Sequence, residues 1–449
     1  MESYKSRLNN IIPGGAHTYS RGDDQFPSNA PQILSRGEGA YVWDSDGKRY
    51  LDYGMGLRSV NIGYGNREIA EAAFKEILKG NNLTRASVTE LEAAELLSSR
   101  IKSAEMVKFA KHGSTVTTAA VKIARGVTNR KYIAVPEEHP FFSFDDWFIG
   151  STSIKKGVLL EASNFTLKFR YNDPESLRVL FETYPNQIAG VLLEPATNKS
   201  PCCSNCNISI RGCADCKLGE KNFLHEVKNI AHKNGALFIL DVMITGFRWH
   251  LNGAQSYFDV EPDLSTFGKA MGNGFAVAAL TGKKEFMSVG AIHQQGEERL
   301  FLTSTTHGAE MSGLGAFMKT LEILERDNVI EHFWSYGNKL MDGINLISEE
   351  LGLKDYFVIE GFPCSPSYIT KDNNLNNSLN FRTIFAQEMI TNGVLMPYIA
   401  LSNSHNDEEL DITLSAVRNS LEVYKYALEV GFEKVLRGSA IKPVFRQFN

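Results

Sequence analysis

Two residues of this chain, Lys269 and Asp241, have types and surroundings that suit one kind of chemistry. Lys269 directly follows Gly268 and stands in a stretch of small residues. Asp241 ends the apolar run 236–240, which predicts a buried strand with a carboxylate at its end. A lysine in such a stretch can form a Schiff base, and a buried aspartate can pair with a pyridinium nitrogen. The two residues together predict pyridoxal phosphate (PLP) as the cofactor.

A third segment, 109–125, has the composition of a phosphate site. It runs from a strand pattern through Gly113 into an alanine-rich helix, with Ser114 and Thr115 at the helix N-terminus. Backbone N–H groups and the helix dipole favour an anion there. Each feature also has a simpler interpretation. Ser114 and Thr115 could cap the helix with nothing bound. Asp241 could cap the turn after its strand, and Lys269 could be a solvated surface residue. The combination of the three segments favours PLP.

Five of the six cysteines lie close together, within 202–216. Two Cys-x2-Cys pairs are separated by six residues, a pattern typical of a metal site with four thiolates. We expect zinc, with an iron–sulfur cluster as second choice and a loop of reduced, unliganded thiols as the alternative. The predicted ligands are Cys203, Cys206, Cys213 and Cys216.

The composition is typical of a soluble enzyme, with 43% hydrophobic and 22% charged residues among 449 and a formal net charge of −5. This mild acidity gives no reason to expect nucleic acid or an anionic membrane as a partner. No apolar run approaches the roughly 20 residues of a membrane helix, and the first residues lack a signal-peptide pattern. We therefore expect a cytoplasmic protein.

The elements that must position these residues follow an α/β pattern. Helical and strand patterns alternate from about 67 to 308, as in a mostly parallel sheet with helices on both faces. A break at 11–15 ends a first helix, and 39–52 predicts a hairpin around an Asp-Ser-Asp-Gly turn. The strand candidates in the alternating part are 107–110, 131–135, 188–193 and 237–240.

The length of the chain predicts two domains. We expect a large PLP-binding domain at 61–310, with the cysteine-rich segment 200–218 as an insertion. Residues 1–60 and 311–449 would form a small discontinuous domain, because the pattern after about 311 becomes helical and then mixed.

Several stretches of the chain resemble the class III PLP-dependent aminotransferases. They are 36–44, 193–195, Asp241 with 245–248, and 267–269. The segment 12–15 and Arg21 are similar to the glutamate-1-semialdehyde 2,1-aminomutase branch. The resemblance covers nearly the whole chain. It implies fold type I of the PLP-dependent transferases, with a mostly parallel seven-stranded sheet and a smaller α+β domain. It also implies a homodimer with the cofactor near the subunit interface.

The resemblance implies roles for individual residues. Lys269 would form the Schiff base, and Asp241 would pair with the pyridinium nitrogen. Arg21 would hold a substrate carboxylate through its planar guanidinium, with a solvated loop arginine as the alternative. The other implied cofactor contacts are the phosphate turn Gly113, Ser114 and Thr115, the ring neighbour Met243, the stacking residue Phe141 or its one-register alternative Phe142, the active-site Glu194, and Thr305, which would reach the phosphate of the neighbouring subunit.

This chain departs from the family pattern in three places. Val242 replaces a glutamate, 141–143 is Phe-Phe-Ser instead of Tyr-His-Gly, and 63–67 replaces Gly-His-x-His-Pro. These changes bear on glutamate-1-semialdehyde turnover and leave Schiff-base chemistry in place. We expect amino-group transfer from a small-molecule amino donor to a carbonyl acceptor. The alternatives are an intramolecular aminomutase and a non-catalytic relative that binds a partner through the cysteine-rich insertion.

Overall fold

The computed structural model of the protein describes residues 2–139, 141–202, 222–289, 291–300 and 304–449. They divide into two compact units. The larger unit comprises Arg67–Ile330 with Gln447–Asn449, and the smaller unit comprises the chain up to Asn66 with Glu331–Arg446. The larger unit therefore includes 311–330, whereas the sequence pattern predicts that stretch for the small domain.

The strands and helices are as follows. The strands are β1 (Leu34–Glu38), β2 (Tyr41–Asp44), β3 (Arg49–Asp52), β4 (Met106–Ala110), β5 (Tyr132–Pro136), β6 (Thr166–Phe169), β7 (Ile188–Leu193), β8 (Leu237–Asp241), β9 (Leu264–Phe267), β10 (Ala278–Gly282), β11 (Phe357–Phe362), β12 (Ser365–Thr370) and β13 (Val394–Leu395). The helices are α1 (Tyr4–Ile11), α2 (Met55–Arg58), α3 (Arg67–Leu78), α4 (Val88–Arg100), α5 (Gly113–Thr128), α6 (Asp146–Ile149), α7 (Leu160–Ser163), α8 (Pro174–Thr183), α9 (Phe223–Lys233), α10 (Gly246–Trp249), α11 (Ala254–Tyr257), α12 (Lys284–Met287), α13 (Met311–Arg326), α14 (Val329–Glu350), α15 (Leu379–Thr391) and α16 (Asp407–Val430).

The larger unit is built on a seven-stranded sheet in the order β4-β10-β9-β8-β7-β5-β6. Strand β10 runs antiparallel to both of its neighbours, and the other pairs are parallel. Every residue of β7 and β8 is buried, which explains their continuous apolar sequence. The four strand candidates of this region are confirmed as β4, β5, β7 and β8. Strands β6, β9 and β10 are additional.

Helix α5 fixes one end of the functional region. Its apolar side chains pack against the sheet in a single core, and each fully buried Val, Leu or Ile side chain contributes roughly 1.5–3 kcal/mol. The members of this core include Val116, Ala120, Ile123 and Ala124 of the helix and Val135, Leu192, Ile239 and Leu280 of the sheet. This packing holds the helix N-terminus just beyond the carboxyl end of β4. The carboxyl ends of all parallel strands lie at that same edge of the sheet, where α/β folds bind ligands.

The smaller unit contains two further sheets. The predicted hairpin is confirmed as β2 and β3, which are antiparallel, and the full sheet has the order β1-β2-β3-β13. Val42, Tyr50, Ile390 and Leu395 form a core beneath it. Strands β11 and β12 form a separate antiparallel pair. The first helix, α1, ends before Pro13, as the sequence predicts.

Within the described ranges, no helix is both long and apolar enough to cross a membrane.

Candidate active site

Asp241 is a buried carboxylate at the carboxyl end of β8. Its side chain is 3% exposed, and Oδ1 accepts hydrogen bonds from the Met243 backbone N–H at 2.9 Å and from Thr266 Oγ1 at 3.0 Å. Burial raises the pKa of Asp241 to about 6, against the opposing effects of the Met243 N–H, the Lys269 charge and the Thr266 hydroxyl. A buried carboxylate of this kind gains stability from a nearby cation.

Lys269 lies at the carboxyl end of the neighbouring strand. Strand β9 ends at Phe267, pairs with β8 so that Asp241 lies opposite Thr266, and is followed by a short 3-10 segment that begins at Lys269. The backbone of Lys269 has φ +46°, in the left-handed region. Such a conformation costs roughly 1–3 kcal/mol in a residue with a side chain, and it is concentrated at functional sites. The structure thus brings the two residues predicted for PLP chemistry to adjacent strand ends.

The side chain of Met243 lies against both the start of α5 and the glycine before Lys269. A β-carbon added at Gly113 would lie 3.1 Å from both Sδ and Cε of Met243, and one added at Gly268 would overlap Sδ. Both glycines therefore allow the chain to approach the thioether closely. Met243, Gly113 and Gly268 form one contact group, with Lys269 directly after it.

The predicted phosphate turn is the first turn of α5. The cap residue, His112, is extended and its side chain gives no capping bond to the first helical N–H groups; its Nδ1 instead lies 2.9 Å from the Thr115 hydroxyl. Ser114 is buried, and its Oγ accepts the Phe144 backbone N–H at 3.2 Å. The Ser114 hydroxyl still has its proton to donate, and the helix N-terminus favours an anion.

The two candidate stacking residues differ in exposure. Phe142 is 2% exposed and belongs to the core, with its carbonyl accepting a 2.8 Å hydrogen bond from Thr117 Oγ1. Phe141 is 45% exposed and meets the edge of Phe148 at a ring separation of 6.1 Å. Of the two, Phe141 is the ring available to a ligand.

Glu194 follows β7, and its backbone is held by a residue for which the sequence analysis predicts no role. Its backbone N–H donates a 3.1 Å hydrogen bond to Nδ1 of the buried His139. Burial, together with the charge of Lys168, lowers the pKa of His139 to about 3, so the ring is neutral. A histidine two residues before the aromatic pair is the only signal for this contact in the sequence, and it gives no indication of the partner.

Thr305 and Arg21, the two remaining predicted site residues, are both exposed. Thr305 is exposed, with its hydroxyl beside Gly308 of the same turn, and Asn82 anchors that turn by donating to the Thr306 carbonyl at 3.1 Å. Arg21 belongs to the smaller unit, where its exposed side chain ends a 3-10 turn.

The four predicted metal ligands, Cys203, Cys206, Cys213 and Cys216, lie outside the described residues. In the ranges that the structure covers, no group of three or more His, Cys, Asp or Glu side chains could hold a metal ion. The metal site therefore stays a prediction.

A model of the class III aminotransferases matches residues 23–356. The chain belongs to the class III aminotransferase family. It is 32% identical to the 3-aminobutyryl-CoA aminotransferase of Cloacimonas acidaminovorans (strain Evry), over 93% of this chain and 95% of that protein. It is 29% identical to the glutamate-1-semialdehyde 2,1-aminomutase of Alkaliphilus oremlandii (strain OhILAs), over 93% and 97%. The predicted family is therefore confirmed, and the protein is an enzyme rather than a non-catalytic relative.

Solved structures confirm fold type I for this class III aminotransferase. The FumI protein of Sphingopyxis sp. MTA144, in its PLP internal aldimine form, superposes with a TM-score of 0.82, at 23% identity, over 95% of this chain and 97% of that one. At this level of identity the similarity concerns the fold. The cofactor of the family is PLP.

The residues present fit PLP. Asp241 is buried, and burial disfavours the charged form of its carboxylate. A protonated ring nitrogen would supply a cation that stabilises this charge. The uncapped first turn of α5 and the Ser114 hydroxyl suit a phosphate. Gly113 of the phosphate turn and Gly268, which precedes Lys269, both lie against the side chain of Met243. The phosphate turn and the lysine are therefore close to the same residue.

Proposed function

We propose that the protein transfers an amino group from a small-molecule donor to a carbonyl acceptor, with Lys269 and Asp241 as its catalytic residues. The observation that carries this proposal is the position of the two side chains at the carboxyl ends of adjacent parallel strands. Burial raises the pKa of Asp241, and in that position the charge of Lys269 opposes the rise. Family membership supports amino-group transfer in general, and this geometry supports the particular residues.

Each residue has a distinct task in this proposal. Bound PLP supplies an electron sink for charge on the carbon next to the substrate amino group. Asp241 keeps the ring nitrogen protonated, and the bonds from Met243 and Thr266 hold its carboxylate in place. Lys269 binds the cofactor covalently through Nζ and then moves a proton at that atom. Phe141 covers the ring, and Gly113, Ser114 and Thr115 hold the phosphate.

The test is a half-reaction with one substrate at a time. Purified protein loaded with PLP is mixed with glutamate, alanine or 3-aminobutyryl thioester, the last because a relative is named for that compound. We expect at least one donor to abolish the near-visible absorbance of the cofactor, and a 2-oxo acid to restore it. If no donor in a broad panel changes the absorbance, amino-group transfer is the wrong reaction.

A second candidate function is an intramolecular aminomutase. The 29% identity to a glutamate-1-semialdehyde 2,1-aminomutase over 93% of the chain favours it. An aminomutase converts its single substrate without an external acceptor, whereas a transaminase needs two substrates in alternation. Product formation from glutamate-1-semialdehyde alone, at a rate unaffected by added 2-oxo acids, would decide for the aminomutase.

We also propose that the enzyme is a homodimer. Large apolar side chains are exposed along α3, α4 and the turn between them, and this contiguous stretch of sequence is typical of an interface. They are Phe74, Ile77, Leu78, Leu83, Val88 and Leu91, each more than 45% exposed. Asn82 lies in the same turn and anchors the segment that carries Thr305. In this arrangement Thr305 would reach the phosphate held by the partner subunit.

Sedimentation of the wild type and of a Leu78→Glu, Leu91→Glu variant tests the dimer. Both side chains are exposed, so the charges disturb an interface more than the fold. We expect a dimer for the wild type, and for the variant a monomer with weaker PLP binding. A wild-type monomer that binds PLP at full affinity would refute both the dimer and the role of Thr305. The cytoplasmic location expected from the sequence stays a prediction.

Arg21 is proposed to bind the carboxylate of a substrate. Burial raises the pKa of Tyr398, while the charges of Arg58 and Arg21 oppose that rise, so both guanidinium groups act on one phenol of the smaller unit. Arg58 is committed to the Ile399 carbonyl and the Ser365 hydroxyl. We expect Arg21→Lys to raise KM for a carboxylate-bearing substrate without changing PLP affinity. An unchanged KM would assign Arg21 to the solvated surface.

The four-thiolate metal site is proposed on sequence spacing alone. Four cysteine ligands close the coordination sphere, so the metal would be structural. Elemental analysis of protein prepared without chelator tests the site, with one equivalent of zinc per chain as the expected result. Less than about a tenth of an equivalent of zinc or iron would leave reduced thiols as the explanation.

A further inference from the structure

The turn that carries Arg21 lies where the two ends of the chain meet. It consists of two 3-10 segments, Tyr19–Arg21 and Asp23–Gln25, which Gly22 joins. The C-terminal residues 435–446, which we call the strap, bind to this turn. The turn and the strap both belong to the smaller unit.

Two hydrogen bonds fix the turn to a single residue of the strap. The backbone N–H of Lys442 donates to the Asp24 carbonyl at 2.9 Å, and the Lys442 carbonyl accepts from Gln25 Nε2 at 3.0 Å. Because Lys442 contributes only backbone groups to these bonds, they do not depend on its side chain. The strap therefore sets the position of the backbone three residues beyond Arg21.

The strap is anchored to helix α15. The backbone N–H of Arg437 donates to Gln387 Oε1 at 2.8 Å, and that of Ile441 donates to Thr383 Oγ1 at 3.0 Å. Gln387 and Thr383 are both buried. The turn that carries Arg21 is thus connected, through the strap, to a buried helix of the smaller unit.

The two carboxylates that follow Arg21 are each occupied by another cation. Asp24 pairs with Arg446 of the strap, and the two side chains are only 33% and 23% exposed. Asp23 pairs with Lys5 of α1 at 3.7 Å. The Arg21 guanidinium itself has no hydrogen bond or ion pair within the described ranges, although its charge acts on the phenol of Tyr398.

Without Arg446, the Asp24 carboxylate would compete for Arg21. A β-carbon added at Gly22, the residue after Arg21, would lie 3.0 Å from Asp24 Oδ1, so this carboxylate folds back on the turn. It offers a guanidinium the same pair of oxygens that a substrate carboxylate offers. A partner within the same chain has a high effective concentration and is favoured over a free ligand. The ion pair with Arg446 occupies this competitor.

We propose that the strap positions Arg21 for a substrate carboxylate, and that Arg446 prevents Asp24 from taking the place of that carboxylate. The inference rests on the role proposed above for Arg21. Lys442 fixes the backbone of the turn, and Arg446 neutralises Asp24. Arg446 is a positioning residue, because it acts on substrate binding through Asp24 and Arg21.

The test measures binding of a carboxylate that cannot react, so it does not depend on amino-group transfer. The PLP-loaded enzyme is titrated by calorimetry with glutarate, and with glutaramide as its uncharged counterpart. The variants are Arg446→Gln, Asp24→Asn and the combination of both. The matched control is Arg418→Gln, which removes an ion pair with Glu350 between α14 and α16.

We expect glutarate to bind to the wild type and glutaramide not to bind. Arg446→Gln should weaken glutarate binding by at least about fivefold, whereas Arg418→Gln leaves it unchanged. Asp24→Asn loses the same ion pair as Arg446→Gln, yet it should bind glutarate at least as tightly as the wild type. The double variant should also recover the wild-type affinity, because the competing carboxylate is gone.

The proposal is overturned if glutarate does not bind to the wild type, if glutaramide binds equally well, or if Arg446→Gln binds glutarate like the wild type. It is also overturned if Asp24→Asn and the double variant are as weak as Arg446→Gln, since the ion pair would then only hold the fold. Failure of amino-group transfer is a separate result. It would leave every donor unreactive in the half-reactions, while glutarate binding still depended on Arg446.

Discussion

The backbone N–H of Glu194 donates a 3.1 Å hydrogen bond to Nδ1 of His139, and this bond fixes the tautomer of the histidine. An accepting nitrogen carries no proton, so the proton of the neutral ring is on Nε2. The ring also packs 5.0 Å from Tyr171 and 5.8 Å from Phe142. One histidine therefore connects the segment after β5, which holds the aromatic pair, to the segment after β7.

Replacing His139 by Gln should change how stability depends on pH. The unfolded histidine takes up a proton near pH 6.5, and the folded one only near pH 3. The unfolded state therefore binds more protons between these values, and the wild type loses stability as pH falls below 6.5, by at most about 1.4 kcal/mol per unit. Gln does not titrate and keeps an acceptor for the Glu194 N–H. Urea unfolding at several pH values should show a shallower acid loss in the variant; parallel curves would mean that folding does not lower the pKa of His139.

The cofactor-free protein should show the opposite dependence at Asp241. Its pKa is about 6 when folded and 3.8 when unfolded, so the folded state holds the extra proton between them. The stabilising contribution is complete below pH 3.8 and is lost as pH rises to about 6, a change of roughly 3 kcal/mol. Asp241→Asn removes this term. The stability difference between variant and wild type should grow in favour of the variant from pH 4 to 6, and a constant difference would contradict the raised pKa.

Asp241→Asn should also slow the reaction of the PLP-loaded enzyme. The neutral amide cannot hold the ring nitrogen protonated, so we expect kcat to fall by at least 100-fold while some PLP binding remains. Thr266→Val is the matched comparison, because it removes one hydrogen bond to Asp241 and leaves the charge. A kcat for Asp241→Asn within about tenfold of the wild type, or 1.4 kcal/mol of barrier, would show that the pairing is wrong.

Lys269→Ala should abolish turnover and leave the fold intact. Lys269 is only partly buried, so the truncation removes its amine with little loss of packing. Circular dichroism and PLP content check the fold, and single-donor half-reactions check the chemistry. Steady-state turnover that survives in this variant would end the assignment of Lys269 as the cofactor-binding amine.

Gly268→Ala should disturb the site through Met243. The added β-carbon would occupy the space of the thioether sulfur, and overpacking of this kind typically costs about 1–3 kcal/mol. We expect lower PLP affinity in the single variant. Met243→Ala in the same chain should restore part of it, because the smaller side chain frees the space. A double-mutant cycle measures the coupling, and additive effects would show that the two residues do not compete for space.

The positions of Asp241 and Lys269 at two strand ends could be predicted because each is marked by the residues directly before it. Asp241 ends a continuous apolar run, and Lys269 follows Gly268. Strand β9 was missed because its four residues, Leu264–Phe267, include Ser and Thr and are too few for a pattern. The antiparallel β10 was missed for a different reason: its Ala-Ala-Leu-Thr-Gly sequence has weak strand propensity and is held in place by two neighbours.

Other features of the site could not be predicted because they depend on distant contacts. Fifty-five residues separate His139 from Glu194, and no local pattern pairs a histidine ring with a backbone N–H. The sequence also left the stacking position open between Phe141 and Phe142, since two adjacent aromatic residues carry no periodicity. Only packing shows that Phe142 enters the core.

The position of β4 at the edge of its sheet has a consequence for synthesis of the chain. In the described sheet, its only neighbour is β10, whose pairing residues lie about 170 positions later. A nascent chain that has emerged only as far as β9 has no strand with which to dock β4. Closing so long a loop is slow compared with local pairing. Strand β4 therefore reaches its final place late, after the ribosome has completed both Asp241 and Lys269.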